Sequence, residues 1–154
     1  ALVIGSGDYA ELPNLPNARR DATAIANRLA EMGFDEIEIA ENIDGDELRR
    51  VPSYVEKRAR EVDIVVIFYA GHGVETNGVN YLVPIDASLD RETELRSTAL
   101  ALDDLTTAAG KARRGSLVIV DACRDDPFVE AKAVASSRAS CTWAWAASAP
   151  RSPG

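Results

Sequence analysis

Three stretches of the chain are continuously apolar and rich in β-branched residues: Ala1–Gly5 (ALVIG), Asp63–Ala70 (DIVVIFYA) and Ser116–Asp121 (SLVIVD). A strand with no polar face belongs inside a parallel sheet covered on both sides. Between these runs the period changes. From about Asp21 to Met32, the residues Ile25, Leu29 and Met32 fall on one face and Gly33 follows, which predicts a helix. Glu36–Ala40 alternates and predicts a second strand. Glu47–Arg60 is helical in pattern, but Pro52 and Ser53 interrupt it, so a kink there or a start only near Pro52 is expected. Gly7–Asn17, with Pro13 and Pro16, reads as a loop, and Gly71–Gly78 reads as a turn. Val79–Val83 reads as a short strand before Pro84, and Asp103–Ala112 as a modest helix.

Strands alternating with helices in this order predict an open α/β sheet with helices on both faces. Ligands of such sheets bind outside the carboxyl ends of the central strands. His72 lies just past one of those ends and Cys123 just past another. The stretch Val129–Gly154 differs in kind. Half of it is Ala or Ser, it holds both tryptophans, and neither periodicity persists. It is expected to be an irregular tail outside a folded unit at residues 1–128.

Composition narrows the chemistry. At 154 residues, 46% apolar and 27% charged, the chain has the make-up of one globular domain. No apolar run approaches a membrane span. The first residues read as strand, so a segment upstream of Ala1 is expected, and nothing marks secretion. The compartment therefore defaults to the cytoplasm. A formal charge of −8, with bases scattered among the acids, disfavours nucleic acid and favours a cationic ligand or substrate. Cys123 and Cys141 do not make a disulfide framework, and one His with two Cys is no structural-zinc set. Any imidazole chemistry must use His72, the only histidine.

A cysteine is a useful nucleophile as thiolate or with a base at hand, and imidazole is the usual activator. An isolated Cys is usually a small buried hydrophobe. Cys123, however, follows a buried strand and precedes the polar run Arg124–Pro127, while His72 sits between Gly71 and Gly73 at the matching end of another strand. The two together favour a catalytic pair. The Gly73 amide could also face a developing oxyanion. Other signals are weaker. Gly5–Ala10 has the letters of a dinucleotide fingerprint, but Pro13 and Pro16 oppose the helix that motif must open. No G-x-S-x-G elbow supports a serine hydrolase.

The runs YAGHG (Tyr69–Gly73), NYLVPIDA (Asn80–Ala87) and LVIVDACR (Leu117–Arg124) resemble the caspase superfamily, closest in look to bacterial caspase homologues, paracaspases and metacaspases. The resemblance covers Ala1–Phe128 and includes the helix NARRDATAIANRLAEMGF (Asn17–Phe34). Family signatures place the histidine about 50 residues before the cysteine, the order and gap seen here. The resemblance implies a three-layer fold whose mostly parallel central sheet is incomplete at the C-terminus of this chain. It also implies a cysteine endopeptidase that forms an acyl-enzyme at Cys123. In that reading His72 polarises the scissile carbonyl and protonates the leaving amine, and the amides of Gly73 and Cys123 form the oxyanion hole.

The caspase signature Q-A-C-[RQG]-G is replaced here by Asp121-Ala122-Cys123-Arg124-Asp125. In paracaspase-like and metacaspase-like relatives, an acid two before the cysteine and another from the first helix help hold an Arg or Lys. Asp121 and Asp21 match those positions, so the implied substrates are proteins or peptides with a basic residue before the scissile bond. Without the resemblance, Asp121 reads as a strand-end turn acid and Asp21 as a helix N-cap. Calcium binding of the kind some metacaspase-like relatives show would fall to Asp125 and Asp126, but adjacent acids before Pro127 read as a solvated turn, and no cofactor or metal is expected. Two rivals stand: a non-catalytic caspase-like interaction module, and a flavodoxin-like ligand-binding domain.

Overall fold

A computed structural model describes residues 1–88, 92–122, 124–125 and 144–148 of the chain. Its main sheet holds β1 (Leu2–Gly5), β2 (Glu38–Glu41), β3 (Ile64–Ala70), β7 (Gly115–Asp121) and β9 (Ala144–Ser148), in the order β2-β1-β3-β7-β9. The first four are mutually parallel, as the unbroken apolar runs of β1, β3 and β7 predict, with the polar β2 at the edge. Successive residues of β1 and β3 point to opposite faces, and each face has its own core. Leu2, Ile4, Ile67 and Tyr69 pack with Leu48, Val55 and Ala59 of α2 (Gly45–Ala59) and with Leu105 and Ala108 of α4 (Leu102–Ala109). Val3, Val66 and Phe68 pack against α1 (Ala18–Glu31).

The α1 stripe is Ala18, Ala22, Ala26 and Leu29. Its small residues bring the helix hard against the end of β1. A Cβ on Gly5 would stand 2.8 Å from the Ala22 Cβ and 2.9 Å from the Ala18 carbonyl oxygen, so only glycine fits where β1 passes beneath α1. The helix starts earlier than the pattern suggests. Asn17 occupies the N-cap, and Asp21 lies in the first turn, where an acid is favoured by the helix dipole. The N-cap reading of Asp21 is thereby corrected.

Pro52 does not delay α2. The helix begins at Gly45 behind a reciprocal capping box, in which Asp44 accepts from the Glu47 amide and Glu47 accepts from the Asp44 amide. It runs through Pro52 to Ala59, with Leu48, Val55 and Ala59 buried to either side of the proline.

A smaller sheet, in the order β6-β5-β4-β8, projects beyond the carboxyl ends of β3 and β7. The segment read as a turn, Gly71–Gly78, contains β4 (Gly73–Thr76), hairpinned to β5 (Val79–Leu82) through Asn77 and Gly78. Both loop residues have positive φ, 52° and 77°, the geometry of a two-residue type I′ turn that favours Asn-Gly. β6 (Leu100–Ala101) extends this sheet antiparallel to β5, and β8 (Arg124–Asp125) pairs parallel with β4. A short helix, α3 (Glu92–Thr98), precedes β6 and was not anticipated.

Within the stretch read as irregular, Ala144–Ser148 forms β9, antiparallel to β7 with Val120 opposite Ala144 and Ser116 opposite Ser148. Here β7 is therefore flanked by a strand on each side. No helix among the described residues is long and apolar enough to cross a membrane.

Candidate active site

The carboxyl ends of β1, β3 and β7 lie side by side: Gly5 is in register with Ala70, and Ala70 with Asp121. The Gly71 amide donates to the Asp121 carbonyl at 3.3 Å, tying the glycine-histidine-glycine turn to the end of β7. Beyond this point Gly73 of β4 is in register with Arg124 of β8. The offset is 51 residues on both sides of the turn (121 less 70, 124 less 73). It equals the spacing of His72 and Cys123 in the sequence. Cys123 itself lies outside the described residues, as do the side chain of Asp125 and all of Asp126.

His72 is partly exposed, and its surroundings are specific. Its Nε2 lies 2.8 Å from the Pro13 carbonyl oxygen, which can only accept. The Nε2 must therefore carry the proton, and Nδ1 is left as the basic nitrogen. Pro13 belongs to the loop read from its prolines, and that loop is fastened at several points. The Gly7 and Asp8 amides donate to the Asn42 Oδ1 at 2.9 and 3.1 Å, the Tyr9 amide donates to the Asn14 Oδ1 at 2.9 Å, and the Leu15 amide donates to the Gly7 carbonyl at 2.8 Å. Asn42 takes a positive φ of 52° to reach the loop.

Two tyrosines complete the surroundings, and sequence reasoning missed both in this role. The Tyr9 ring stands edge-on to the imidazole, with centroids 4.5 Å apart, and its hydroxyl accepts the His72 amide at 2.8 Å. The Tyr69 hydroxyl lies 2.8 Å from the His72 carbonyl oxygen and 2.9 Å from that of Val83. Gly71 is where the two phenols meet: a Cβ there would fall 2.5 Å from the Tyr69 Oη and 2.7 Å from the Tyr9 Oη.

Burial raises the pKa of both phenols, that of Tyr9 partly offset by its hydrogen bond to the His72 backbone, and that of Tyr69 raised further by Tyr9. The sign of the consequence follows from proton linkage. Above the ordinary tyrosine pKa of about 10 the unfolded chain gives up protons that the folded protein keeps, so stability is full below that pH and falls above it. Tyr69→Phe is expected to flatten the decline of melting temperature between about pH 9 and 11, relative to each protein's own value near pH 8. Parallel declines in the two proteins would refute this.

The remaining candidates sit around the same sheet end. Asp121 is half-buried at the end of β7, beside the turn that carries His72. Asp21 is half-buried on α1, one residue before the Ala22 that presses on Gly5. Neither carboxylate has an ion-pair partner among the described residues. Gly73 opens β4 between Leu82 and Arg124. A separate cleft of about 730 Å³, lined in part by Leu2, Phe34, Ile37, Tyr54 and Ile64, opens at the opposite end of the main sheet and contains none of these residues.

Compared with known families, residues 1–150 match the model of the peptidase C14 caspase domain. The chain belongs to the caspase-domain family. That membership removes the flavodoxin-like alternative and makes the chain a caspase-family peptidase domain. Among curated proteins, this caspase domain is similar to the human mucosa-associated lymphoid tissue lymphoma translocation protein 1 and to its Mus musculus homolog. Each is 25% identical over 125 residues, covering 80% of this chain. The match spans only 15% of the human protein and 14% of the mouse one. Among solved structures it is similar to protein GSU0716 from Geobacter sulfurreducens, with a TM-score of 0.60 and 22% identity, covering 85% of this chain and 52% of that one. That likeness is one of fold.

Proposed function

We propose that this caspase domain is a cysteine endopeptidase cleaving proteins or peptides after Arg or Lys, with Cys123 as nucleophile and His72 as its partner. The observation that carries the reading is the constant offset of 51 residues between the ends of β3 and β7 and between β4 and β8, which brackets His72 and Cys123 alike. The Cys123 thiol gives up its proton, which passes to Nδ1 of His72, as the sulfur attacks the scissile carbonyl, and the oxyanion that forms is met by the amides of Gly73 and Cys123. His72 polarises the carbonyl and supplies a proton to the leaving amine. Water then hydrolyses the thioester and frees the thiol. The tautomer set by the Pro13 carbonyl supports this role, because it leaves Nδ1 free to exchange that proton.

The basic preference rests on Asp21 and Asp121, half-buried acids at the same sheet end without a cationic partner among the described residues. A guanidinium between two carboxylates makes charge-assisted and bidentate bonds, so Arg should exceed Lys, and neutral or acidic residues should be poor. The test is a fluorogenic panel differing only in the residue before the scissile bond: Arg, Lys, Ala and Asp. Asp121→Asn is expected to lower kcat/KM for the Arg substrate by one or more orders of magnitude, within the roughly 2–5 kcal/mol of a disrupted buried charge pair. A preference for Asp in the native protein would overturn the basic specificity while leaving the peptidase reading intact.

A further inference from the structure

The β4–β5 register begins with Gly73 opposite Leu82, so His72 and Val83 form the next pair outward. An antiparallel pair of that kind exchanges two hydrogen bonds. One is present: the Val83 amide donates to the His72 carbonyl at 3.1 Å. The other is replaced. The His72 amide donates instead to the Tyr9 hydroxyl at 2.8 Å, and that hydroxyl reaches the Val83 carbonyl at 3.4 Å. Tyr69, fully buried, sets its hydroxyl against the carbonyls of both His72 and Val83.

We propose that Tyr9 and Tyr69 are positioning residues for His72, and that the Tyr9 hydroxyl does this by standing in place of a strand-to-strand hydrogen bond. Inserted there, it holds the His72 main chain away from β5 by the width of an oxygen atom. The imidazole is thus presented to the Pro13 carbonyl with the Tyr9 ring edge-on to it. Gly71 is part of the same device, since any side chain there would displace both hydroxyls. Without the Tyr9 hydroxyl the His72 amide can close directly onto Val83, which shifts the ring. The inference rests on His72 acting in catalysis, as proposed above.

Tyr9→Phe keeps the ring and removes only the inserted oxygen. Its kcat on an Arg substrate is expected to fall on the order of 10–100-fold, the loss typical of a displaced catalytic group. KM should stay within about twofold, because no substrate contact is lost. A second readout is independent of cleavage. The chain has one histidine, so the imidazole signals in a ¹⁵N spectrum belong to His72 alone. The native protein should show the Nε2–H tautomer with a slowly exchanging proton, and Tyr9→Phe should exchange it faster. Unchanged kcat together with an unchanged imidazole spectrum would overturn the positioning role, as would a loss confined to KM. Should Tyr9→Phe fail to fold, Tyr69→Phe carries the same expectations, since it removes the other hydroxyl that fixes the His72 main chain, while the Val83 amide still keeps that strand pair together. His72→Ala, assayed alongside, separates the two claims. Full cleavage by that variant defeats the dyad, whereas an inactive His72→Ala beside a fully active Tyr9→Phe defeats only the positioning role.

Discussion

Cys123→Ala is expected to abolish peptide cleavage, and His72→Ala to come close to it. In the proposed mechanism the thiol sulfur is the atom that bonds to the substrate, so its removal leaves only binding and oxyanion contacts. Partners that act as a unit are strongly non-additive, so losing either should cost about as much as losing both, on the order of 10³-fold or more in kcat. His72 is partly exposed, and its main-chain bonds to Tyr9, Tyr69 and Val83 do not depend on the imidazole. His72→Ala should therefore fold normally. Steady-state turnover of the two single variants and of the double variant, with circular dichroism to verify folding, measures this. Substantial turnover by purified Cys123→Ala would show that the thiol is not the nucleophile.

Gly71→Ala is expected to damage both stability and activity, although it adds a single methyl group. Its Cβ would stand 2.5 Å from the Tyr69 Oη, 2.7 Å from the Tyr69 Cζ and 2.7 Å from the Tyr9 Oη. Neither ring can swing clear: Tyr69 is fully enclosed and Tyr9 is only 7% exposed. Overpacking of this kind costs about 1–3 kcal/mol, and each hydroxyl bond lost adds roughly 1 kcal/mol. At roughly 2–4 °C per kcal/mol for a domain of this size, melting should drop on the order of 10 °C. The surviving folded protein should be slow as well, because the displaced hydroxyls are those that hold the His72 main chain. A variant with native melting temperature and native kcat would contradict this packing.

The parts of the fold legible in the sequence are those set by local composition. The apolar runs of β1, β3 and β7 admit only a strand covered on both faces, and in the sequence His72 and Cys123 each come two residues after the end of one of two neighbouring strands. The prolines of Gly7–Asn17 mark a loop correctly, but nothing local says that the Pro13 carbonyl meets an imidazole 59 residues away. Tyr9 and Tyr69 were hidden for a similar reason. Tyr69 reads as one more apolar residue of β3, and Tyr9 lies 63 residues from the amide it accepts. The β4–β5 hairpin was missed against an available signal, because Asn77-Gly78 between Val74 and Val79 is the dipeptide a type I′ turn demands. In α2 the conspicuous Pro52 masks the start signal that lies upstream of it, an Asp44 N-cap with Glu47 three residues on. β9 escaped because its sequence, AWAAS, is mostly alanine, which fits a strand poorly and alternates with nothing polar.

The most direct measurement is site-resolved labelling by a thiol-directed peptidyl reagent carrying Arg at its recognition position. Intact-mass and peptide mass spectrometry would follow the native protein, His72→Ala and Asp121→Asn side by side. One equivalent on Cys123 and none on Cys141 is expected in the native protein, with labelling lost in His72→Ala and slowed in Asp121→Asn. Equal labelling of Cys123 with and without His72 would contradict a cysteine–histidine dyad.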